Sequence, residues 1–439
     1  MTDEQLAEAC KEVLTNNDRG KHTVPAKGLY PHQWLWDSCF IAIGQRHYDV
    51  ERAQQEILSL LRGQWSNGMI PNMILASSKV PSQAATFWRS SVSPYSPDNV
   101  ATSGITQPPM LAEAIVRIGE KLPKNERRAW YQRVYPALLS YHNWLYSERD
   151  PHNEGLVLQI HPWETGLDNT PPWIYELQQH RMPFWIRAIG FLHLDALIGP
   201  FRKDSFLSLP GERISTINAL AYYSIQRRLR RKRYNIQNIL SHAELAIEDV
   251  NFNAIFVRAN HQLKKIAKFI DRELPKELIE NIKKTDEAFD QLWDAYSGQY
   301  YSRNFVTHKL IKVGSIGTLL PLYAGNLTKE RAKHLVDLLN NKKLFNSKYP
   351  VPTVPLDSEW FHEHKYWQGP TWININWLII DGLERYGYEE EAKHIRQQTL
   401  KLVASNGARE YFSPKDGSPA GAHDFSWTAA LTLDLLQAK

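Results

Sequence analysis

The sequence predicts an all-α fold in which paired helices form a ring, an α/α toroid, and three observations predict it. Apolar residues recur three and four positions apart through most of the 439-residue chain, which is the periodicity of helices with one buried face. Strand-like alternation is confined to short stretches such as 155–160 and 300–305. Short polar turns alternate with long loops rich in Trp, Gly and Pro, and long structured loops usually carry function. Such a ring would gather the long loops, and the site, at one mouth.

The helical periodicity is clearest in VERAQQEILSLL, which follows Tyr48 and Asp49 and keeps its apolar residues on one face. The N-terminal MTDEQLAEACKEVL predicts a further, acidic amphipathic helix. The other predicted helices lie near residues 101–120, 127–147, 178–198, 214–231, 235–270, 328–340, 371–386, 389–403 and 424–437. No Gly/Ser linker divides these segments, so we expect a single domain over residues 1–439 with a local excursion at 199–235.

Composition and charge give no reason to expect a nucleic-acid partner. Hydrophobic residues make up 43% and charged residues 23% of the chain, as in ordinary globular proteins. The net charge is +5, from 52 basic and 47 acidic residues. The basic run QRRLRRKRYN at 226–235 lacks the aromatic interleaving of a nucleic-acid surface, which favours a solvated basic helix end. An arginine of this run that reaches an anionic substrate group is the alternative.

Cysteine usage and the absence of targeting signals predict a cytoplasmic protein. The two cysteines, Cys10 and Cys39, are too few for a disulfide framework, which fits a reducing compartment. The N-terminus lacks the basic start and apolar run of a secretory signal. No apolar stretch reaches transmembrane length, so we expect no membrane partner. The oligomeric state is not predicted by these features.

The aromatic content predicts a saccharide site. The chain has 15 Trp, 20 Tyr and 15 Phe, and many of the tryptophans lie in loops beside polar residues. The C–H faces of sugars stack on indole rings, while their hydroxyls need fixed polar partners. Any single Trp is more simply explained as a packed core residue. The loop clusters taken together favour a site.

The first candidate motif is GLYPHQWLWDS at 28–38, in which Tyr30, Trp34 and Trp36 flank Asp37. An apolar helix follows Asp37, and a helix N-terminus stabilises a carboxylate. Asp37 is therefore either a first-turn acid of structural value or an acceptor for two sugar hydroxyls. The three aromatic neighbours favour the second interpretation.

The second motif is HPWETGLDNTPPW at 161–173, which holds Glu164 and Asp168 in a proline-rich loop. The bracketing tryptophans would desolvate a nearby carboxyl and raise its pKa, the property that a general acid needs. The alternative is an Asx-turn at Asp168. The spacing does not decide between the two acids.

The third motif is KYWQGPTW at 365–372. Tyr366, Trp367 and Gln368 combine stacking surfaces with an amide that can meet a hydroxyl, just before a predicted helix. Thr371 is the expected N-cap of that helix. A helix entry packed on the core explains the same pattern.

The fourth motif is AREYFSPKDGSPAGAHDFSWT at 408–428, which supplies Glu410. This acid lies between Arg409 and two aromatic residues. It is either a surface carboxylate paired with the arginine, or a general base that a nearby cation keeps ionised.

Neither a metal nor a cofactor is expected. His362, Glu363 and His364 are adjacent, but a third and fourth ligand and the helical i, i+4 spacing are missing. The chain has no Gly-rich phosphate loop and no G-x-S-x-G elbow.

These four motifs, in this order, resemble glycoside hydrolase family 63, and in particular its short bacterial mannosylglycerate and glucosylglycerate hydrolases. EDVNFNAIFVRAN at 248–260 resembles a core helix of that group. The resemblance implies an (α/α)6 barrel that hydrolyses a glycosidic bond with inversion, with Asp168 as the general acid and Glu410 as the general base. It also implies that Tyr366 lies near the leaving group. The glycosyl subsite that it implies consists of Tyr30, Trp34, Trp36, Asp37, Trp367 and Gln368.

The expected substrate is a small α-glycoside, 2-O-glucosylglycerate or 2-O-mannosylglycerate. Glycerate is an anion, and Arg228 with Tyr234 matches by spacing an Arg-Tyr pair that family members use for it. Two alternatives stay open: an α-glucosidase acting on neutral oligosaccharides, and a non-catalytic sugar-binding toroid.

Overall fold

The computed structural model describes residues 1–76, 82–179, 182–194, 214–241 and 245–437. Within these ranges most of the regular structure is helical. The α-helices in chain order are α1 (Asp3–Asn16), α2 (Leu35–Gln45), α3 (Val50–Leu61), α4 (Gln83–Trp88), α5 (Leu111–Glu120), α6 (Lys124–Arg149), α7 (Pro171–Gln179), α8 (Phe184–Phe191), α9 (Thr216–Arg231), α10 (Ile236–Leu240), α11 (Val250–Phe269), α12 (Lys276–Ala288), α13 (Pro321–Ala324), α14 (Lys329–Leu339), α15 (Ile373–Arg385), α16 (Glu389–Asn406) and α17 (Ser426–Gln437).

The described strands are two-residue segments that pair in four antiparallel ladders, β1–β2, β3–β6, β4–β5 and β7–β8. They are β1 (Gln33–Trp34), β2 (Met73–Ile74), β3 (Ile247–Glu248), β4 (Trp293–Asp294), β5 (Gln299–Tyr300), β6 (Arg303–Asn304), β7 (Tyr411–Phe412) and β8 (Pro419–Ala420). The stretch at 300–305 thus supplies strand residues, as expected. The stretch at 155–160 forms no strand and contributes only a bridge from Gln159 to Ile247.

Six helices form a closed inner ring. Each packs on the next in the order α2, α5, α11, α13, α15 and α17, and α17 packs back on α2. Outer helices cover this ring: α1 lies on α17, α3 on α2, α6 on α5 and α11, α12 on α11, and α16 on α15 and α17. This double ring is the (α/α)6 barrel that the sequence predicted.

Burial explains which helices lie inside. Every residue of α2 is buried, so this helix has no solvent face, as expected of one surrounded by neighbours. Helix α3 instead buries only one side, including Ile57 and Leu60, and belongs to the outer layer. The difference is visible in the sequences LWDSCFIAIGQ and VERAQQEILSLL.

Most predicted helices are confirmed within a few residues. Two predicted bounds were wrong: the helix expected at 101–120 begins only at Leu111, as α5, and in the described part of 178–198 the helix is α8, Phe184–Phe191. The predicted segment 235–270 is broken into α10 and α11, because β3 pairs with β6 between them. Helix α12 had not been predicted. The first part of the excursion expected at 199–235 lies outside the described residues, and its second part forms α9 and the turn that follows.

Buried ion pairs join the inner helices away from the site. Glu113 of α5 accepts from Arg117 at 2.7 Å, from Arg258 of α11 at 3.0 Å and from Gln262 at 2.5 Å. Burial opposes ionisation of Glu113, but the two arginines and Gln262 prevail and lower its pKa to about 2. Arg117 also pairs with Asp381 of α15, so the network connects three inner helices.

Candidate active site

The aromatic residues of three motifs meet where inner helices begin. Trp36, at the start of α2, lies with its ring centroid 6.1 Å from Trp367 and 5.4 Å from Trp427 of α17. Trp367 stacks on Trp372 at 3.7 Å with the planes 6° apart. The first, third and fourth motifs therefore share one aromatic wall.

The second motif joins this wall through Asp168 and its neighbour. The Asp168 Oδ2 atom accepts a hydrogen bond from the Tyr366 hydroxyl at 3.3 Å. Asn169 accepts from the backbone N–H of Trp367 at 2.8 Å and, through its carbonyl, from the Gln368 amide at 3.0 Å. Asp168 itself is half-buried, so its carboxyl is held at the edge of the site with access to a ligand.

Glu410 is only 1% exposed and is held by two donors. Its Oε1 accepts from the Tyr30 hydroxyl at 2.7 Å, and its Oε2 accepts from the backbone N–H of Ala422 at 2.8 Å. The ladder between β7 and β8 brings Ala422 to this position, because it pairs Tyr411 with Ala420. Glu410 is thus buried with a fixed orientation, which rules out the surface-carboxylate interpretation.

Asp37 is a buried acid whose pKa is affected by the charges of Glu410 and Asp168. It is 4% exposed, and burial raises its pKa well above the usual range. The negative charges of Glu410 and Asp168, and of Glu56 more weakly, raise this pKa further, while its own backbone N–H opposes the shift. The Tyr366 ring, whose hydroxyl donates to Asp168, lies 6.0 Å from the ring of Tyr411, the residue after Glu410, so the loops that carry the two acids are neighbours.

A close contact fixes the loop that carries Asp168 against the aromatic wall. Gly166 has φ +75°, and a Cβ at this position would lie 2.5 Å from Cη2 of Trp36. Only glycine combines this backbone conformation with the approach of an indole ring. The Tyr222 hydroxyl holds the other side of the loop by donating to the Asp168 carbonyl at 2.7 Å.

The structure separates the two acids of the second motif. Glu164 is fully buried and pairs with Arg149 at 2.8 Å. Its oxygens also accept from the backbone N–H groups of Ile160 at 2.7 Å and Thr106 at 3.3 Å. Glu164 therefore holds the loop, and Asp168 is the acid of this motif that faces the site.

The first, third and fourth motifs contain buried polar side-chain atoms. Four of them have no hydrogen-bond partner within the described part of the chain: the indole Nε1 atoms of Trp34, Trp367 and Trp427, and Oε1 of Gln368. Buried polar groups normally have partners, so such a group is a candidate contact for a ligand hydroxyl. Among the described residues no group of three or more His, Cys, Asp or Glu is placed to hold a metal ion.

Arg228 lies on α9 and Tyr234 in the turn that follows, and each donates a hydrogen bond to a backbone carbonyl. The Tyr234 hydroxyl donates to the Trp88 carbonyl and accepts from Gln226 at 3.2 Å. Arg228 donates to the Ile239 carbonyl at 3.3 Å. The glycerate role of the pair stays a prediction.

Two features of the site differ from sequence reasoning. Thr371 does not cap α15, because its hydroxyl donates to the Tyr349 carbonyl and Trp372 occupies the N-cap position without a side-chain bond. Tyr222 had not been singled out, although it supports Asp168. Its position in an amphipathic helix carries no signal of that contact.

Comparisons with known proteins find relatives over nearly the whole chain. The family model for the mannosylglycerate hydrolase MGH1-like glycoside hydrolase domain matches residues 30–428, which include every predicted site residue. A mannosylglycerate hydrolase from Thermus thermophilus is 37% identical over 425 residues, covering 96% of this chain and 98% of the relative. A glucosylglycerate hydrolase from Mycolicibacterium hassiacum is 31% identical, covering 99% and 98% of the two chains.

A solved structure of a relative has the same fold as this chain. The crystal structure of a family 63 mannosylglycerate hydrolase from Thermus thermophilus, in complex with Tris and D-glycerate, superposes with a TM-score of 0.87 and 36% identity. It covers 98% of this chain and 99% of that chain. In the described part of the present chain, no helix has the length and apolar character needed to span a membrane.

Proposed function

This chain belongs to the family of mannosylglycerate hydrolase MGH1-like glycoside hydrolases, and from that premise we propose that it cleaves 2-O-mannosylglycerate or 2-O-glucosylglycerate into the sugar and glycerate. We propose that the reaction inverts the anomeric configuration, with Asp168 as the general acid and Glu410 as the general base. The observation that supports the proposal is that tyrosines of the aromatic motifs hold both carboxyl groups: Tyr366 donates to Asp168, Tyr30 donates to Glu410, and the Tyr366 ring contacts Tyr411 beside Glu410. Relatives named for each of the two substrates support both as candidates.

In the proposed reaction, Asp168 gives its proton to the glycosidic oxygen as the bond to the anomeric carbon breaks. Its half-exposed position suits this role, because the acid must reach an oxygen of the bound ligand. Tyr366 donates to Oδ2 and holds the carboxyl in place. The oxygen leaves as the hydroxyl of glycerate.

Glu410 in turn takes a proton from the water that attacks the anomeric carbon from the opposite face. A base needs a fixed lone pair, and the donors at Oε1 and Oε2 restrict how this carboxylate can rotate. An inverting pair stands roughly 6.5–9.5 Å apart so that a water fits between the base and the sugar. Proton loss at Asp168 and proton gain at Glu410 balance the reaction.

The sugar is proposed to bind between Asp37 and the aromatic wall. Asp37 would accept hydrogen bonds from sugar hydroxyls, while the unpartnered indole N–H groups of Trp34 and Trp367 donate to others. Gln368 offers a carbonyl oxygen for a further hydroxyl. Tyr30 and Trp36 complete the surface on which the C–H faces of the ring can pack.

For the glycerate carboxylate, which needs a cation or several donors, Arg228 with Tyr234 stays our proposal. Arg228 lies on α9, the helix that also places Tyr222 against Asp168. The Tyr234 hydroxyl already has two partners, so we expect Arg228 to contribute more. We also propose a cytoplasmic location, which suits the free and buried Cys10 and Cys39.

Product analysis tests the proposed substrate. Synthetic 2-O-mannosylglycerate, 2-O-glucosylglycerate and a neutral α-glucoside would be incubated with the protein, and the products followed by ¹H NMR from the first turnover. We expect release of glycerate together with a β-anomer that later equilibrates. Cleavage of the neutral glucoside alone would favour the α-glucosidase alternative, and an α-anomer formed first would contradict inversion.

A further inference from the structure

A second cleft, of about 490 Å³, lies beside β1 and β2 and shares no lining residue with the active site. Successive side chains of a strand point to opposite faces. Gln33 of β1 lines the cleft, while the next residue, Trp34, contacts Tyr30 in the active site with 6.1 Å between ring centroids. The cleft and the active-site aromatic residues therefore lie on opposite sides of β1.

Among the described residues, the charged and titratable side chains that line the cleft are all basic. Arg19, Lys21, His22 and Arg62 line it, and none of its lining residues within the described chain is Asp or Glu. Arg19, Lys21 and Arg62 are exposed, so their side chains can turn toward a bound molecule. Cations gathered around a concave surface attract anions more strongly than the same charges on a flat surface.

Two acids beside the cleft form their ion pairs with Arg52, which does not line the cleft. Asp18 pairs with Arg52 at 3.2 Å, and Glu56 pairs with the same arginine at 3.0 Å. Glu56 also accepts from Ser38 at 2.6 Å and from the backbone N–H of Thr23 at 2.8 Å. Both carboxylates are therefore committed to the wall behind the cleft.

The pKa of His22, which lines the cleft, is lowered from its usual value. Burial lowers its pKa, and the charges of Arg52, Arg19 and Arg62 lower it further, while Asp18 acts in the opposite direction. Three arginines thus lower the pKa of His22 by their positive charge, and Asp18 opposes them. An anion placed among them would relieve the repulsion.

We propose that this cleft binds a small molecule through a phosphate group. A phosphate is compact and multiply charged, so it can meet several of the three cations at once, and charge-assisted hydrogen bonds are the strong ones. The rim also offers Ser82, whose hydroxyl accepts from the Ala85 N–H and keeps its own proton to donate, and the exposed amide of Asn99. The cleft is roomy enough for a phosphate ester as well as for the free ion.

Titration with inorganic phosphate tests the proposal, by calorimetry and by the thermal unfolding midpoint, against sodium chloride of matched ionic strength. We expect a binding isotherm for the wild type and at least a ~10-fold loss of affinity in the Lys21→Glu/Arg62→Glu double variant, since each charged contact is worth about that factor or more. The matched control is Lys268→Glu/Lys401→Glu, which changes the net charge equally at two exposed positions outside the cleft.

Phosphate also stabilises proteins without binding to a site, and this effect would raise the unfolding midpoints of the wild type, the cleft variant and the control alike. An isotherm lost only in the cleft variant supports the site. Equal affinity in the cleft variant and the control, or no isotherm for the wild type, would overturn it. A wild-type isotherm with phosphate esters that is tighter than with the free ion would identify the ester as the better ligand.

Discussion

The Tyr30 hydroxyl lies 2.7 Å from Oε1 of Glu410 and donates to it, so residues 380 positions apart in sequence share one hydrogen bond at the centre of the site. We predict that Tyr30→Phe lowers kcat about 10-fold or more, because a hydrogen bond to a charged group is worth roughly 1.5–3 kcal/mol. KM should change less. Steady-state kinetics against Tyr296→Phe, whose ring is 98% exposed, measures the effect. Equal kcat values in the two variants would contradict the role given to Tyr30.

Asp37→Asn is predicted to stabilise the protein while abolishing activity. Burial, followed by the charges of Glu410 and Asp168, raises the pKa of Asp37 in the folded state. The folded state then holds this proton more tightly than the unfolded state, so stability falls as pH rises from about 4, the unfolded pKa, through the folded value. The asparagine has no charge to bury.

The free energy of unfolding of Asp37→Asn should therefore exceed that of the wild type by about 0.5–2 kcal/mol at pH 7–8. The difference should vanish below about pH 4, where the acid is protonated in both states. Thermal unfolding across pH measures this, with activity assayed on the same samples. A variant that is less stable than the wild type at pH 8 would show that the carboxylate is not strained by its surroundings.

Gly166→Ala is predicted to impair catalysis, because its Cβ would meet Trp36 and displace the loop that carries Asp168. A misplacement of about 1 Å in a catalytic group can lower the rate about 100-fold. Gly387→Ala is the matched control, since Gly387 has φ +80° and nothing within 4 Å of the added Cβ. Both variants bear the left-handed strain of about 1–2 kcal/mol, and only the first should lose kcat. Similar kcat losses in both would contradict the contact as the cause.

Glu113→Gln is predicted to destabilise the barrel by about 2–4 kcal/mol, because it leaves the partly buried Arg117 and Arg258 without their shared carboxylate, although Arg117 keeps Asp381. In the wild type the folded pKa of about 2 lies below the unfolded value of 4.5, so the stabilisation is present above pH 4.5 and is lost as pH falls toward 2. The shift corresponds to roughly 3 kcal/mol.

Denaturant unfolding between pH 7 and pH 2.5 checks this prediction. The variant should lose less stability than the wild type over that range. Glu120→Gln serves as the control, because Glu120 pairs with Lys265 at an exposed position. A Glu113→Gln variant within about 0.5 kcal/mol of the control would contradict the account.

The periodic features of the fold could be predicted from the sequence, and its specific contacts could not. The apolar run of α2 and the amphipathic α3 are visible as patterns, and so is the aromatic setting of Asp37. The choice between Glu164 and Asp168 depends on Arg149, which lies on another helix, and no local pattern marks that pair. Thr371 has the right chemistry for an N-cap, but its hydroxyl bonds the distant Tyr349 carbonyl instead.

The resemblance to family 63 supplied what spacing could not, namely the proposal that Asp168 and Glu410 act together. The two acids lie far apart in sequence, and the closure of the helical ring makes the loops that carry them neighbours. Tyr222 shows the limit of this reasoning. Its hydroxyl supports the Asp168 carbonyl, yet the residue lies on a helix whose sequence shows only an ordinary amphipathic pattern.

The most direct test of the two-carboxyl account is the hydrolysis of a glycosyl fluoride by Asp168→Asn and Glu410→Gln. Fluoride leaves without a proton, so the acid is dispensable for this substrate while the base is not. We predict that Asp168→Asn loses glycosylglycerate hydrolysis but keeps hydrolysis of the α-glycosyl fluoride, and that Glu410→Gln loses both. Full turnover of the glycosylglycerate by either variant would contradict the assignment.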